Sequence, residues 1–172
     1  MTHVSKALLL VAALGLSACN NPDRFGGGGP GSDGAGGLGA GGIDTQGLGG
    51  PGDPTSVAYF NQTVGDRVFF AVDQSNLSDE ARATLTQQAR WLQTNPDYAI
   101  IIEGHADEQG TREYNLALGA RRAASVQDFL ISQGIAPSRM RTISYGKERP
   151  IEVCSDEACY SRNRRAVTVL SM

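Results

Sequence analysis

Residues 20–56 hold 15 of the chain's 22 glycines, set among prolines, serines and isolated aspartates, with almost no side chain able to build a core. A stretch of that composition cannot bury enough apolar surface to offset the entropy of ordering its backbone, so it predicts a disordered, flexible linker. The 172 residues are thereby divided into a leader (1–18), a tether (19–56) and a remainder (57–172) that must supply the whole fold. As a flexible coil the tether has a root-mean-square span of about 35 Å and a stretched limit of roughly 125 Å, enough to hold a domain well away from whatever anchors its start.

The leader carries Lys6 and then the apolar run from Ala7 to Leu16, too short to cross a bilayer as a helix and patterned as a secretory signal. It ends in Leu16-Ser17-Ala18-Cys19, which resembles the lipobox of bacterial lipoprotein precursors. The alternative is an ordinary signal with a cysteine at its end. The lipobox resemblance implies cleavage before Cys19 and attachment of three acyl chains there; several chains are needed, because one holds a membrane only marginally. The position after the cysteine, where an aspartate favours inner-membrane retention in such lipoproteins, is Asn20, which points to outer-membrane sorting.

With one of the three cysteines assigned to lipid, Cys154 and Cys159 remain. Export means an oxidising compartment, so Cys154-Ser-Asp-Glu-Ala-Cys159 is expected to close a small disulfide loop. A metal site would want further ligands, and outside the leader the only histidine is His105; no metal and no cofactor are expected. Removing Lys6 with the leader leaves 14 basic against 18 acidic residues, a net charge near −4, and no basic tail or helix suited to nucleic acid.

Within 57–172, Val68-Phe-Phe-Ala-Val72 is short, apolar and β-prone. Ser78 then offers an N-cap, Asp79 and Glu80 suit the positive end of a helix dipole, and Leu85, Ala89 and Leu92 mark one face until Asn95-Pro96. Tyr98–Glu103 reads as a second strand, and a long helix follows from about Glu113 to Gln133, stopped by Gly134. On that helix Leu116, Ala120, Ala123 and Leu130 form the apolar face. Met140–Tyr145 and Arg165–Leu170 complete the strands, joined through the cysteine loop. The order β-α-β-α-β-β allows both main helices to cover one face of a four-stranded mixed sheet, a two-layer α+β sandwich.

The loop from Gly104 to Arg112 and the helix after it carry most of the polar chemistry. His105 and Asp107 resemble the start of an acid–base pair, but no familiar nucleophile or metal motif accompanies them. Asn115, Leu118 and Arg122 fall within about 60° of one another on their own side of the helix. A loop carboxylate at Asp107 and a guanidinium at Arg122 could grip the two ends of an amino-acid zwitterion. Equally, the two could form a plain structural salt bridge.

The run from Glu103-Gly-His-Ala-Asp107 to Asn115-Leu-Ala-Leu-Gly-Ala-Arg-Arg-Ala123, followed by Ile143-Ser-Tyr-Gly-Lys-Glu-Arg-Pro150 and Asn163-Arg-Arg-Ala-Val167, resembles the peptidoglycan-associated lipoproteins of the OmpA-like family across essentially all of 57–172. The resemblance implies a noncatalytic domain that binds the meso-diaminopimelate of peptidoglycan stem peptides, tethers the outer membrane to the wall, and meets the periplasmic propeller protein TolB in the Tol-Pal system. By the same resemblance Asp107 and Arg122 are the main ligand pair, Asp73 a second acidic contact, Asn115 and Leu118 lining residues, and Arg165 a further arginine beside the pocket. Two departures stand out: Phe70-Ala-Val-Asp73 lacks the earlier acidic residue common in the family's first strand, and the Cys154 and Cys159 pair is absent from its best-known members. Rival readings are a wall-binding lipoprotein that works without TolB, a wall-cleaving enzyme, and a structural lipoprotein in which Asp107 and Arg122 merely brace the fold.

Overall fold

The computed structural model describes residues 49–172; the leader, the expected lipidation site at Cys19 and most of the expected linker lie outside them. A single helical turn, α1 (Val57–Tyr59), runs into a π-helical turn over Phe60–Gly65 and then into the short strand β1 (Arg67–Phe69). Helix α2 (Asp79–Thr94), strand β2 (Ala99–His105), helix α3 (Arg112–Ser132), strand β3 (Met140–Gly146), a short helix α4 (Glu157–Asn163) and strand β4 (Arg165–Ser171) follow. The sheet order is β1-β4-β2-β3. β2 runs parallel to β3 and antiparallel to β4, and β4 antiparallel to β1, so the sheet is mixed as the sequence implies.

The helix boundaries follow from their caps. The Ser78 hydroxyl accepts from the Ala81 amide and Asp79 and Glu80 fill the first turn of α2. Thr111 caps α3 in the same way through Tyr114 N–H. At the other end of α3, Gly134 takes φ +92°; its N–H bonds the Ile131 carbonyl while Ile135 N–H bonds that of Leu130. This is a Schellman closure, with Ile135 and Leu130 at its two ends both buried in the core. Leu85, Ala89 and Leu92 are buried as their spacing requires. With Phe60, Ile100, Ile102, Val126 and Leu130 they form a continuous core between the helices and one sheet face.

Among the described residues, packing against the domain begins ahead of residue 57. Trp91 Nε1 donates to the Pro54 carbonyl at 2.7 Å, Tyr98 Oη to that of Thr55 at 3.2 Å, and buried Ser56 caps α1. The stretch between β3 and β4, read from sequence as a loop, contains α4, whose N-cap Asp156 accepts from Cys159 N–H. Cys154 and Cys159 are joined by a disulfide across that turn, with Cα atoms 5.8 Å apart.

The structure turns α3 about its axis relative to the expected face. Of that face Ala123 and Leu130 are buried as expected, but Leu116 and Ala120 point to solvent, and the buried stripe is Asn115, Leu118, Gly119, Arg122, Ala123, Val126 and Leu130. The cause is a backbone contact: a methyl placed on Gly104 in β2 would lie 1.8 Å from the Gly119 carbonyl oxygen. Only two glycines allow helix and strand to approach that closely. The approach fixes the rotation of α3 and carries Asn115 and Arg122 inward with it.

Candidate functional site

Three chain segments meet at the end of the sheet where β1 and β2 finish. After β1, Phe70 keeps one further ladder bond to the Arg164 carbonyl; the chain then turns at Ala71–Gln74, with Asp73 in the left-handed region at φ 55°. After β2, Ala106 N–H bonds the Gly146 carbonyl and Asp107 follows immediately. The loop to α3 is pinned by Lys147 Nζ on the Gly110 carbonyl at 2.8 Å and by Asn115 Nδ2 on that of Gln109 at 2.8 Å.

These segments form an open cleft of about 280 Å³ lined by Val72, Asp73, Asp107, Tyr114, Asn115 and Leu118, with Gln109 and Gly110 beside them. Four of the residues singled out in the sequence, Asp73, Asp107, Asn115 and Leu118, therefore surround one space. Two carboxylates from separate loops, an amide and an apolar floor suit a small cationic group on an aliphatic stem.

Arg122 does not face Asp107 as a partner, neither across the pocket nor in the structural salt bridge. It is fully buried beneath the site. Its Nε donates to the Gln74 carbonyl at 2.8 Å, Nη1 to His105 at 2.8 Å and Nη2 to Ala71 at 3.2 Å. The guanidinium also stacks over Phe70 at 5.1 Å. Burial lowers its pKa to about 10, with the nearby Asp107 charge opposing that shift, so it stays cationic at neutral pH. Strand ends leave carbonyls without ladder partners, and a planar fork satisfies three of them at once. Arg122 thus fixes the two turns that present Asp73 and Asp107.

The partner of Asp107 is Arg164, a residue the sequence reading missed. Arg164 Nη1 lies 3.0 Å from Asp107 Oδ2, and its outer nitrogens bond Glu157. Burial opposes its charge, yet the bonds to Glu157 and Asp107 outweigh that and raise its pKa above the ordinary value. Arg165, the arginine expected beside the pocket, is not among the lining residues; its Nη groups bond the Asn163 and Arg149 carbonyls. Burial lowers its pKa, and Arg67 adds to the effect. Adjacent residues at a strand start point to opposite faces, so of the Arg-Arg pair only the first reaches the site. The pair was legible; its phase was not.

His105 contributes its carbonyl, not its ring. The imidazole is 2% exposed and lies 5.5 Å from the Tyr145 ring, with Nε2 3.5 Å from Glu103. Desolvation, reinforced by Arg165, Arg149 and Arg67, lowers its pKa to about 4. It does not line the cavity, which removes the base from the acid–base reading. Among the described residues, Cys154, Asp156 and Cys159 gather closely enough for a metal, but the disulfide engages both sulfurs.

Residues 69–164 match the model of the OmpA family. The peptidoglycan-associated lipoprotein of Agrobacterium fabrum is 61% identical over 126 residues, covering 72% of this chain and 71% of that protein. That of Legionella pneumophila is 38% identical over 164 residues, covering 92% and 89%. Among solved structures, the peptidoglycan-associated lipoprotein from Burkholderia pseudomallei superposes with a TM-score of 0.63 at 38% identity, covering 70% of this chain and 98% of that one. The C-terminal domain of Helicobacter pylori MotB shares the fold at a TM-score of 0.58 and 22% identity, covering 62% and 84%.

Proposed function

The chain belongs to the OmpA family and groups within it with the peptidoglycan-associated lipoproteins, and from that premise we propose that it binds peptidoglycan noncovalently through the meso-diaminopimelate of the stem peptide. The observation that carries this reading is the convergence of Asp73 and Asp107 from separate turns on one cavity with Asn115 and Leu118. The carboxylates accept from the ammonium group, Leu118 packs the aliphatic stem, and the buried cations Arg122 and Arg164 favour the ligand's carboxylate through their field. In this reading Arg164, not Arg165, is the second arginine of the site.

The role is one of holding, not of reaction. Anchored through acyl chains at Cys19 and spaced by the glycine-rich tether, the domain links the outer membrane to the wall from the periplasmic side. By family it works in the Tol-Pal system in envelope integrity and cell division, with TolB contacting the same Gly104–Ala123 region and so competing with the wall.

Cosedimentation of the unlipidated chain, residues 20–172, with diaminopimelate-type sacculi tests the reading. Wild type should pellet and be released by soluble diaminopimelate-containing stem peptide, while folded Asp107→Asn stays in solution. Equal pelleting of both would place the wall contact elsewhere, and release of soluble muropeptides would mean catalysis. Addition of TolB should lower the pelleted fraction; no change would favour a wall-binding lipoprotein independent of TolB.

A further inference from the structure

The two pocket carboxylates are engaged differently. Asp107 is held from below by Arg164 and accepts from the Gln109 amide at 3.2 Å. Asp73, at the rim, accepts a hydrogen bond on Oδ1 from the hydroxyl of Tyr114. These two residues belong to different walls, Asp73 to the turn after β1 and Tyr114 to the first turn of α3, and both line the cavity. Their contact therefore bridges those walls at the edge of the cleft.

Both ends of this contact are set by the surrounding chain. Asp73 is the only non-glycine residue among those described with a left-handed backbone, a conformation that aspartate tolerates better than most residues. The Tyr114 ring, 44% exposed, has the Arg121 guanidinium 5.9 Å from its centre. Its bond to Asp73 raises the pKa of the phenol above the ordinary value, so the hydroxyl remains a donor throughout the neutral range. An ammonium group that is to take Oδ1 of Asp73 must displace this hydroxyl.

We propose that Tyr114 is a positioning residue of the pocket whose hydroxyl is the ligand's internal competitor for Asp73 Oδ1, holding that oxygen in the empty site and yielding it when an ammonium group arrives. The inference rests on the amine-binding reading given above. Both bonds to the carboxylate are charge-assisted, but the ammonium group adds the attraction of opposite charges, so exchange proceeds, and the bond given up is subtracted from the affinity. Tyr114 thereby keeps the grip reversible, as suits a domain that must let go of one partner to take another. Removing the hydroxyl while keeping the ring should tighten binding, the opposite of what deleting an ordinary contact residue does.

The test is calorimetric titration of residues 20–172 with a soluble stem peptide ending in free diaminopimelate, using wild type, Tyr114→Phe, Asp73→Asn and the double variant. Tyr114→Phe is expected to bind about 2- to 10-fold more tightly than wild type, the equivalent of one hydrogen bond no longer broken. In the Asp73→Asn background the same change should alter affinity less than about 2-fold, because the cycle isolates the coupling between the two residues. Weaker or unchanged binding by Tyr114→Phe, or an equal gain with and without Asp73, overturns the proposal while leaving the amine-binding reading intact. If wild type does not bind the peptide, that reading falls and this one with it.

Discussion

Arg164 and Asp107 form an ion pair of 3.0 Å with side-chain exposures of 4% and 8%. Withdrawing two charges this far from water is repaid only when each keeps its partner, and removal of one leaves the other uncompensated. Arg164→Ala should lower the unfolding free energy by about 3–5 kcal/mol in denaturant titrations and abolish retention on sacculi. Glu157, which holds the same guanidinium from the solvent side, is largely exposed, so Glu157→Gln should leave the denaturation midpoint nearly unchanged. A small loss for Arg164→Ala would mean that water replaces the pair.

Arg122 acts through the backbone. Its three donors end on the carbonyls of Ala71, Gln74 and His105, which lie on both turns of the pocket. A lysine cannot reach three carbonyls in a plane, and each carbonyl left unpaired costs about 1–3 kcal/mol. Arg122→Lys should therefore lose at least about 2 kcal/mol of stability and speed hydrogen exchange at residues 71–75. Binding of the stem peptide should weaken in step with that loosening; unchanged exchange with lost binding would instead assign Arg122 a direct ligand contact.

Gly104 and Gly119 set the depth at which α3 lies on β2. A methyl on Gly104 meets a backbone oxygen at 1.8 Å, whereas one on Gly119 first meets Ser144 Oγ at 2.4 Å, a side chain that can be shortened, and then the Gly104 carbonyl oxygen at 2.8 Å. Gly119→Ala should cost about 1–3 kcal/mol, part of it recovered by adding Ser144→Ala. Gly104→Ala should cost more, with no such rescue. Thermal unfolding of the three variants distinguishes the two contacts.

The element order was legible because its signals are local: Ser78 caps α2, Gly134 stops α3, and the short β-branched runs at Ile100–Ile102 and Val167–Val169 favour strands. The rotation of α3 was not. Periodicity assigns burial to apolar residues, and here Leu116 is out while Asn115 and Arg122 are in, an inversion that only the glycine contact with β2 explains. The same limit applies to the Arg164 and Arg165 pair, where the choice depends on the phase of β4. Helix α4 has a single buried residue, Asn163, so no apolar stripe announces it.

His105 ties stability to acidity. Its folded-state pKa is lowered from 6.5 to about 4, first by desolvation and then by Arg165, Arg149 and Arg67. Below pH 6.5 the unfolded chain takes up a proton that the folded chain refuses until near pH 4, so this contribution is complete above 6.5 and lost as pH falls between those values. Its size is on the order of 3 kcal/mol, at about 1.4 kcal/mol per pH unit. The ring packs on Tyr145 and makes no hydrogen bond within the protein, and its one polar neighbour, Glu103 at 3.5 Å, keeps access to water, so phenylalanine can replace it without orphaning a buried polar group. His105→Phe should flatten the fall in stability between pH 6.5 and 4, measured by urea unfolding at each pH. Retention on sacculi should persist in this variant, because the histidine lends the site only its carbonyl to Arg122. A stability profile as steep as that of wild type would assign the acid sensitivity to the carboxylates instead.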